Sequence, residues 1–128
     1  MIEQIKNLPG NMVGFRAMAM VTKEDFEHIV MPEVEKIVSK TGELNFMLVL
    51  DTNVKDFTAG AWMQDALLGL KNLTKWHRAA IVTDDIAIHQ FTTVFSALVP
   101  GEFKGFKKID MDLAVAWVSE KPGKTESK

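Results

Sequence analysis

The segment Leu44–Asp51 reads Leu-Asn-Phe-Met-Leu-Val-Leu-Asp, an apolar run that ends in a carboxylate. A strand of this kind has no polar face to give to water, so it needs cover on both sides and surfaces only at its carboxyl end. Residues 76–83, Trp-His-Arg-Ala-Ala-Ile-Val-Thr, form the next strand, and a helical stretch at 58–73 lies between the two. Strand, helix and strand in that order are the unit of a parallel sheet, which makes the chain an α/β protein.

The flanking segments complete the order. Ile2 and Ile5 mark a first strand, and Leu8, Pro9, Gly10 and Asn11 form a turn of the kind that joins hairpin strands. In residues 12–21 the apolar side chains Val13, Phe15, Ala17, Ala19 and Val21 alternate, giving a second strand. Thr22 is placed to cap a helix, with Glu24 and Asp25 in its first turn where the helix dipole favours acid. Phe26, Ile29, Val30, Val34, Ile37 and Val38 carry that helix to about Lys40 at three-and-four spacing. Pro32 inside it removes a backbone bond and should kink or divide it, and Thr41 with Gly42 stops it. Asp84 and Asp85 cap a further helix that runs to Leu98 and closes at Val99, Pro100 and Gly101. A basic last strand over 104–109 and a last helix over 111–120, capped by Asp110, follow. The order is β-β-α-β-α-β-α-β-α, a five-stranded mixed sheet with four helices in a single domain over 1–120. Residues 121–128, polar and holding Pro122 and Gly123, read as a disordered tail. Right-handed crossovers would place the helices at 58–73 and 85–98 on one face of the sheet.

Composition closes several classes. The 128 residues include no cysteine, so disulfide scaffolds, Cys-ligated metal centres and cysteine nucleophiles are out. A net charge of −2 offers no basic excess for a nucleic-acid partner. The N-terminus lacks the basic and apolar regions of a signal peptide, which reads as a cytoplasmic chain, and no apolar stretch reaches the roughly 20 residues of a membrane-spanning helix.

What stands out is the placing of apolar residues on two helices. Over 58–73, Trp62, Met63, Ala66, Leu67, Leu70 and Leu73 gather into an arc of roughly 140°, already more than an ordinary surface helix needs. Over 85–98 and the residue that follows, Ile86, Ala87, Ile88, Phe91, Val94, Phe95, Ala97, Leu98 and Val99 cover roughly 220°. From Ile86 to Gly101 no side chain is formally charged. A helix apolar around more than half its circumference buries more than one side, and four arrangements achieve this: a well-buried core, a homodimer interface, a cavity holding an apolar ligand, or a lipid surface. Eight methionines, Met47 and Met63 among them, suit an adaptable pocket and equally an ordinary core.

Polar constellations are weaker. Asp51, Asp84 and Asp85 stand at the carboxyl ends of parallel strands, the edge where α/β sheets place ligands, yet a helix cap and a strand terminator account for them. His28, His77 and His89 lie on different elements without ligand spacing. Ser39 and Ser96 sit in no nucleophile elbow, and Gly60 and Gly69 in no phosphate loop. Lys104, Lys107 and Lys108 form a basic patch that suits either a protected sheet edge or an anionic lipid surface. No catalytic set and no cofactor site emerges.

The LNFMLVLD strand, the Asp-Phe-Thr-Ala-Gly-Ala-Trp passage at 56–62 and the WHRAAIVTDD strand-to-helix junction resemble the bacterial SpoIIAA-like family. The resemblance spans roughly residues 1–120 and implies the fold shared by STAS domains of the anti-anti-sigma type and CRAL-TRIO lipid carriers. From the STAS side it implies a regulatory interaction domain phosphorylated at the start of a helix, where Thr58 stands here. Phe57 replaces the acid expected before it, and a Thr at that place is also an ordinary cap. From the CRAL-TRIO side it implies an apolar ligand enclosed by the sheet and two mobile helices, with exchange at membranes. The expectation is a non-enzymatic binder or carrier of an apolar small molecule or lipid, cytoplasmic or peripheral to the inner face of the membrane. Its cavity would be lined by Trp62, Met63, Ala66, Leu67, Leu70, Ile88, Phe91, Val94, Phe95 and Leu98. The alternative is a STAS-type interaction domain switched at Thr58.

Overall fold

Alternation in the strands and a capped helix between them build a sheet in which spatial order follows chain order. The computed structural model describes residues 1–18, 22–51, 75–84 and 101–120. In these residues β1 (Ile2–Gln4) runs antiparallel to β2 (Val13–Met18), and β2, β3 (Leu44–Asp51), β4 (Trp76–Val82) and β5 (Glu102–Phe106) are successive parallel neighbours. The five-stranded mixed sheet is the one the sequence implies, and the turn at 8–11 falls between its two antiparallel strands. β3, with only its terminal Asp51 exposed, lies at the centre with every earlier residue buried.

The connection from β2 to β3 is helical. Thr22 Oγ1 accepts from the Asp25 backbone N–H at 3.1 Å and the Thr22 N–H donates to Asp25 Oδ2 at 3.2 Å, a reciprocal cap. That N–H, opposed by a little burial and helped by the nearby N-terminal ammonium, holds the Asp25 carboxyl below its ordinary value. The helix then comes in three pieces: α1 (Lys23–Asp25), a π turn (Phe26–Val30) and α2 (Met31–Thr41). Pro32 divides it as expected, since its ring cannot sit against the carbonyl four residues back and it has no N–H to donate; the wider turn just before it absorbs the mismatch. Gly42, at φ +83°, closes α2 with its N–H on Val38 O at 2.8 Å.

Two cores share the sheet. On one face Phe26, Val30, Val34 and Ile37 pack with Phe15, Phe46, Leu48, Leu50, Trp76 and Ile81. On the other, α3 (Met111–Ser119) sets Ala114 and Val118 against Met12, Met47, Val49, Ala80 and Val82. Alternate residues of β3 serve opposite cores, as the period of two requires.

β4 and the last helix each end one residue before the expected boundary, at Val82 and Ser119, and the last strand is shifted. β5 is Glu102–Phe106 rather than 104–109. It starts directly after Gly101, whose φ of +107° and close approach to the Trp76 and His77 backbone fix where the strand joins β4. Lys108–Asp110 form a 3-10 turn instead, and the Lys108 N–H donates to Asp84 Oδ1 at 3.0 Å. Asp110 precedes α3 but caps it with no side-chain bond. The helices expected at 58–73 and 85–98, the residues 19–21 and the tail at 121–128 lie outside the described residues.

Candidate functional site

At the carboxyl edge of the sheet Asp51 and Asp84, two of the three carboxylates that the sequence places there, both meet Lys108, and each is engaged. Asp51 ends β3 beside Arg16 of β2, with Arg16 Nε 3.2 Å from Asp51 Oδ2. That distance makes an ion pair, but the geometry is not that of a hydrogen bond, and the buried Nε donates to no acceptor. Asp51 Oδ1 lies 2.6 Å from Lys108 Nζ. Asp84 holds the Lys108 backbone, and Asp85 lies outside the described residues. Two cations and an amide thus occupy what a metal would need, and the described residues hold no group of three or more His, Cys, Asp or Glu able to ligate one. Of the basic patch, Lys108 belongs to this edge, while Lys104 Nζ lies over the Phe106 ring at 5.3 Å and the Trp117 ring at 5.8 Å.

The amino edge carries a polar network that sequence reasoning missed. Asn45, fully buried inside β3, donates through Nδ2 to Asn11 O at 2.9 Å, and Asn11 Nδ2 donates to Ser119 O at 2.9 Å. Asn45 Oδ1 is left as an acceptor, so His77 Nδ1, 2.8 Å away, carries the proton. Leu44 pairs with Trp76 and Asn45 with Arg78, which makes His77 the extra residue of a bulge and turns its ring toward Asn45. The signal was present: one amide inside an apolar strand must find partners when buried. Next to it Arg78 donates to Trp117 O at 2.7 Å and to Glu120 and Glu102, with its guanidinium 4.8 Å from the centre of the Trp117 ring. These groups tie α3 to the sheet, and each has a structural partner. His28 is exposed on the π turn, apart from them.

The face toward α2 carries a continuous aromatic row across four strands. Phe15 and Phe46 ring centres are 5.7 Å apart, Phe46 and Trp76 5.9 Å, Trp76 and Phe103 5.5 Å. α2 packs on β2 and β3, whereas α3 reaches β3, β4 and β5 from the opposite side. Trp76, Ala79 and Ile81 of β4 are nonetheless buried on the α2 face.

Every residue expected to line the cavity, Trp62 through Leu98, and Thr58 lie outside the described residues. No helix among the described residues is long and apolar enough to cross a membrane. Comparison with curated proteins and with solved structures finds no match. The sequence profile of the SpoIIAA-like family matches residues 12–119, which takes in β2 through α3 and both cores. With the sheet order, the capped helix after β2 and that span in agreement, the chain belongs to the SpoIIAA-like family.

Proposed function

We propose that this protein binds and carries an apolar small molecule or lipid and catalyses no reaction on it. The observation that carries the reading is the aromatic row, which continues past α2 over β4 and β5. Because β2, β3, β4 and β5 are parallel and in sequence order, right-handed connections from β3 to β4 and from β4 to β5 would run over this same half-face. Those connections contain the two stretches whose apolar arcs exceed what an ordinary surface helix needs. A floor of Phe46, Trp76, Ile81 and Phe103 beneath Trp62, Leu67, Leu70, Phe91, Phe95 and Leu98 would form an apolar site of the CRAL-TRIO type. The two helical stretches would part when loaded, or lie in a lipid interface when empty. Native mass spectrometry of the purified protein, with flotation on liposomes, tests this. A co-purified apolar molecule or liposome association is expected. A protein that carries no such molecule and stays off liposomes would overturn the reading, and a constitutive dimer in that case would assign the apolar surplus to self-association.

Family membership fits a second reading, a regulatory interaction domain of the STAS type, and the switch we propose for it is phosphorylation at Thr58. A phosphate at a helix start is electrostatically favourable. Phosphopeptide mapping after incubation with lysate and ATP should find Thr58 modified under this reading, and an unmodified Thr58 removes it.

A further inference from the structure

Trp76 opens β4 and is 7% exposed, and its buried indole Nε1 meets no acceptor among the described residues. Buried N–H groups almost always find a partner, because the alternative is the full loss of their hydration. Here the indole is held in place. Phe46 meets it edge-on, Phe103 lies at a tilt on its other side, and the Gly101 backbone approaches so closely that a Cβ there would sit 3.2 Å from the Trp76 Cβ. Its three companions in the row are all phenylalanine, which would fill the space with no polar atom to satisfy. Among the described residues the other buried side-chain nitrogen without a hydrogen bond is Arg16 Nε, which lies beside the Asp51 carboxylate.

We infer that Trp76 Nε1 is the polar anchor of the apolar site, donating one hydrogen bond to an uncharged oxygen of the ligand, such as the carbonyl of a ketone, aldehyde, ester or quinone. The inference rests on the carrier reading and narrows its ligand class. Among the described residues, Trp76 belongs to the apolar core of the α2 face, with Phe46, Ala79 and Ile81. A single neutral donor in such surroundings can satisfy one carbonyl but cannot offset the desolvation of a carboxylate. A pure hydrocarbon would fill the site and leave the N–H unpaired.

Diphenylhexatriene, a hydrocarbon whose fluorescence rises in apolar surroundings, is the reporter, and decan-2-one, decane and decanoate are the competitors. In the wild-type protein the ketone should displace the reporter more readily, relative to decane, than it does in Trp76→Phe. The ratio of the two competitors should fall by about 3- to 10-fold in the variant, the worth of one net hydrogen bond. The Trp76 indole N–H resonance, assigned by elimination with Trp62→Phe and Trp117→Phe, should move downfield with decan-2-one and not with decane. This second measurement uses wild-type protein and holds even where Trp76→Phe does not fold. Reporter binding with an unchanged competitor ratio and a static indole resonance overturns the anchor and leaves the carrier reading standing. Failure of the reporter and every competitor to bind overturns both. Decanoate outcompeting the ketone in a Trp76-dependent way overturns the uncharged-ligand class.

Discussion

Asn45 sits in the most apolar strand among the described residues, and its amide joins the turn before β2 to the bulge in β4, while the Asn11 side chain carries the network on to the end of α3. Replacing it with Ala takes the donor from the Asn11 carbonyl and leaves the His77 Nδ1–H only the Glu43 carboxylate, 3.9 Å away, and should cost about 2–4 kcal/mol in urea unfolding. Long-range nitrogen correlation spectra should show neutral His77 in the Nδ1–H form in the wild type and lose that preference in Asn45→Ala. At Thr22 the expected loss is smaller. Thr22→Ala removes the side-chain half of the reciprocal cap and should cost about 0.5–2 kcal/mol. The Asp25 carboxyl titrates lower folded than unfolded, so its contribution to stability is complete above about pH 4 and fades as pH falls through the lowered folded value. The Thr22 variant keeps the main-chain bond to Asp25, and the slope of stability against pH in that acid range should persist in it.

Among the elements, α3 is held by a short set of contacts in which Arg78 is central. Arg78→Ala removes a bond to the Trp117 carbonyl, two carboxylate partners and the packing on the Trp117 ring, and should destabilise by about 2–3 kcal/mol. Glu102→Ala and Glu120→Ala each remove one exposed partner and should cost under about 1 kcal/mol. Thermal unfolding of the three variants checks that order. The elements themselves were readable to different depths. Leu44–Asp51 was legible to the residue because its apolar run and its terminal carboxylate both mark its ends. The sequence pattern starts β5 two residues late because Glu-Phe-Lys-Gly-Phe and Lys-Gly-Phe-Lys-Lys-Ile carry the same weak alternation. The choice between them is made at a distance, by the close approach of Gly101 to β4 and by the grip of Asp84 on Lys108. The Arg16, Asp51 and Lys108 cluster was half legible: a carboxylate at a strand end was expected, whereas its cations come from β2 and from the turn after β5. Local patterns report burial well and pairing across sequence poorly.

For the molecule as a whole, a single sheet divides two cores, and β3 belongs to both. Phe46, Leu48 and Leu50 serve the α2 side, Met47 and Val49 the α3 side. Neither core can loosen without disturbing the strand that builds the other, so unfolding should be cooperative. Trp76 reports on the α2 side and Trp117 on the α3 side. Variants that retain only one or the other tryptophan should show the same urea midpoint, each corrected for the stability change that its substitutions cause. Separate midpoints would mean that the faces unfold independently. The sequential strand order also governs how the protein is made. Each parallel strand joins the edge left by the one before it, so a growing chain can extend the sheet as it leaves the ribosome without waiting for a later partner to be inserted. The side covered by α3 is the exception. Met47, Val49, Ala80 and Val82 are synthesised well before the helix that shields them, and a nascent chain halted after β4 would offer that bare apolar strip to chaperones or to other unfinished copies.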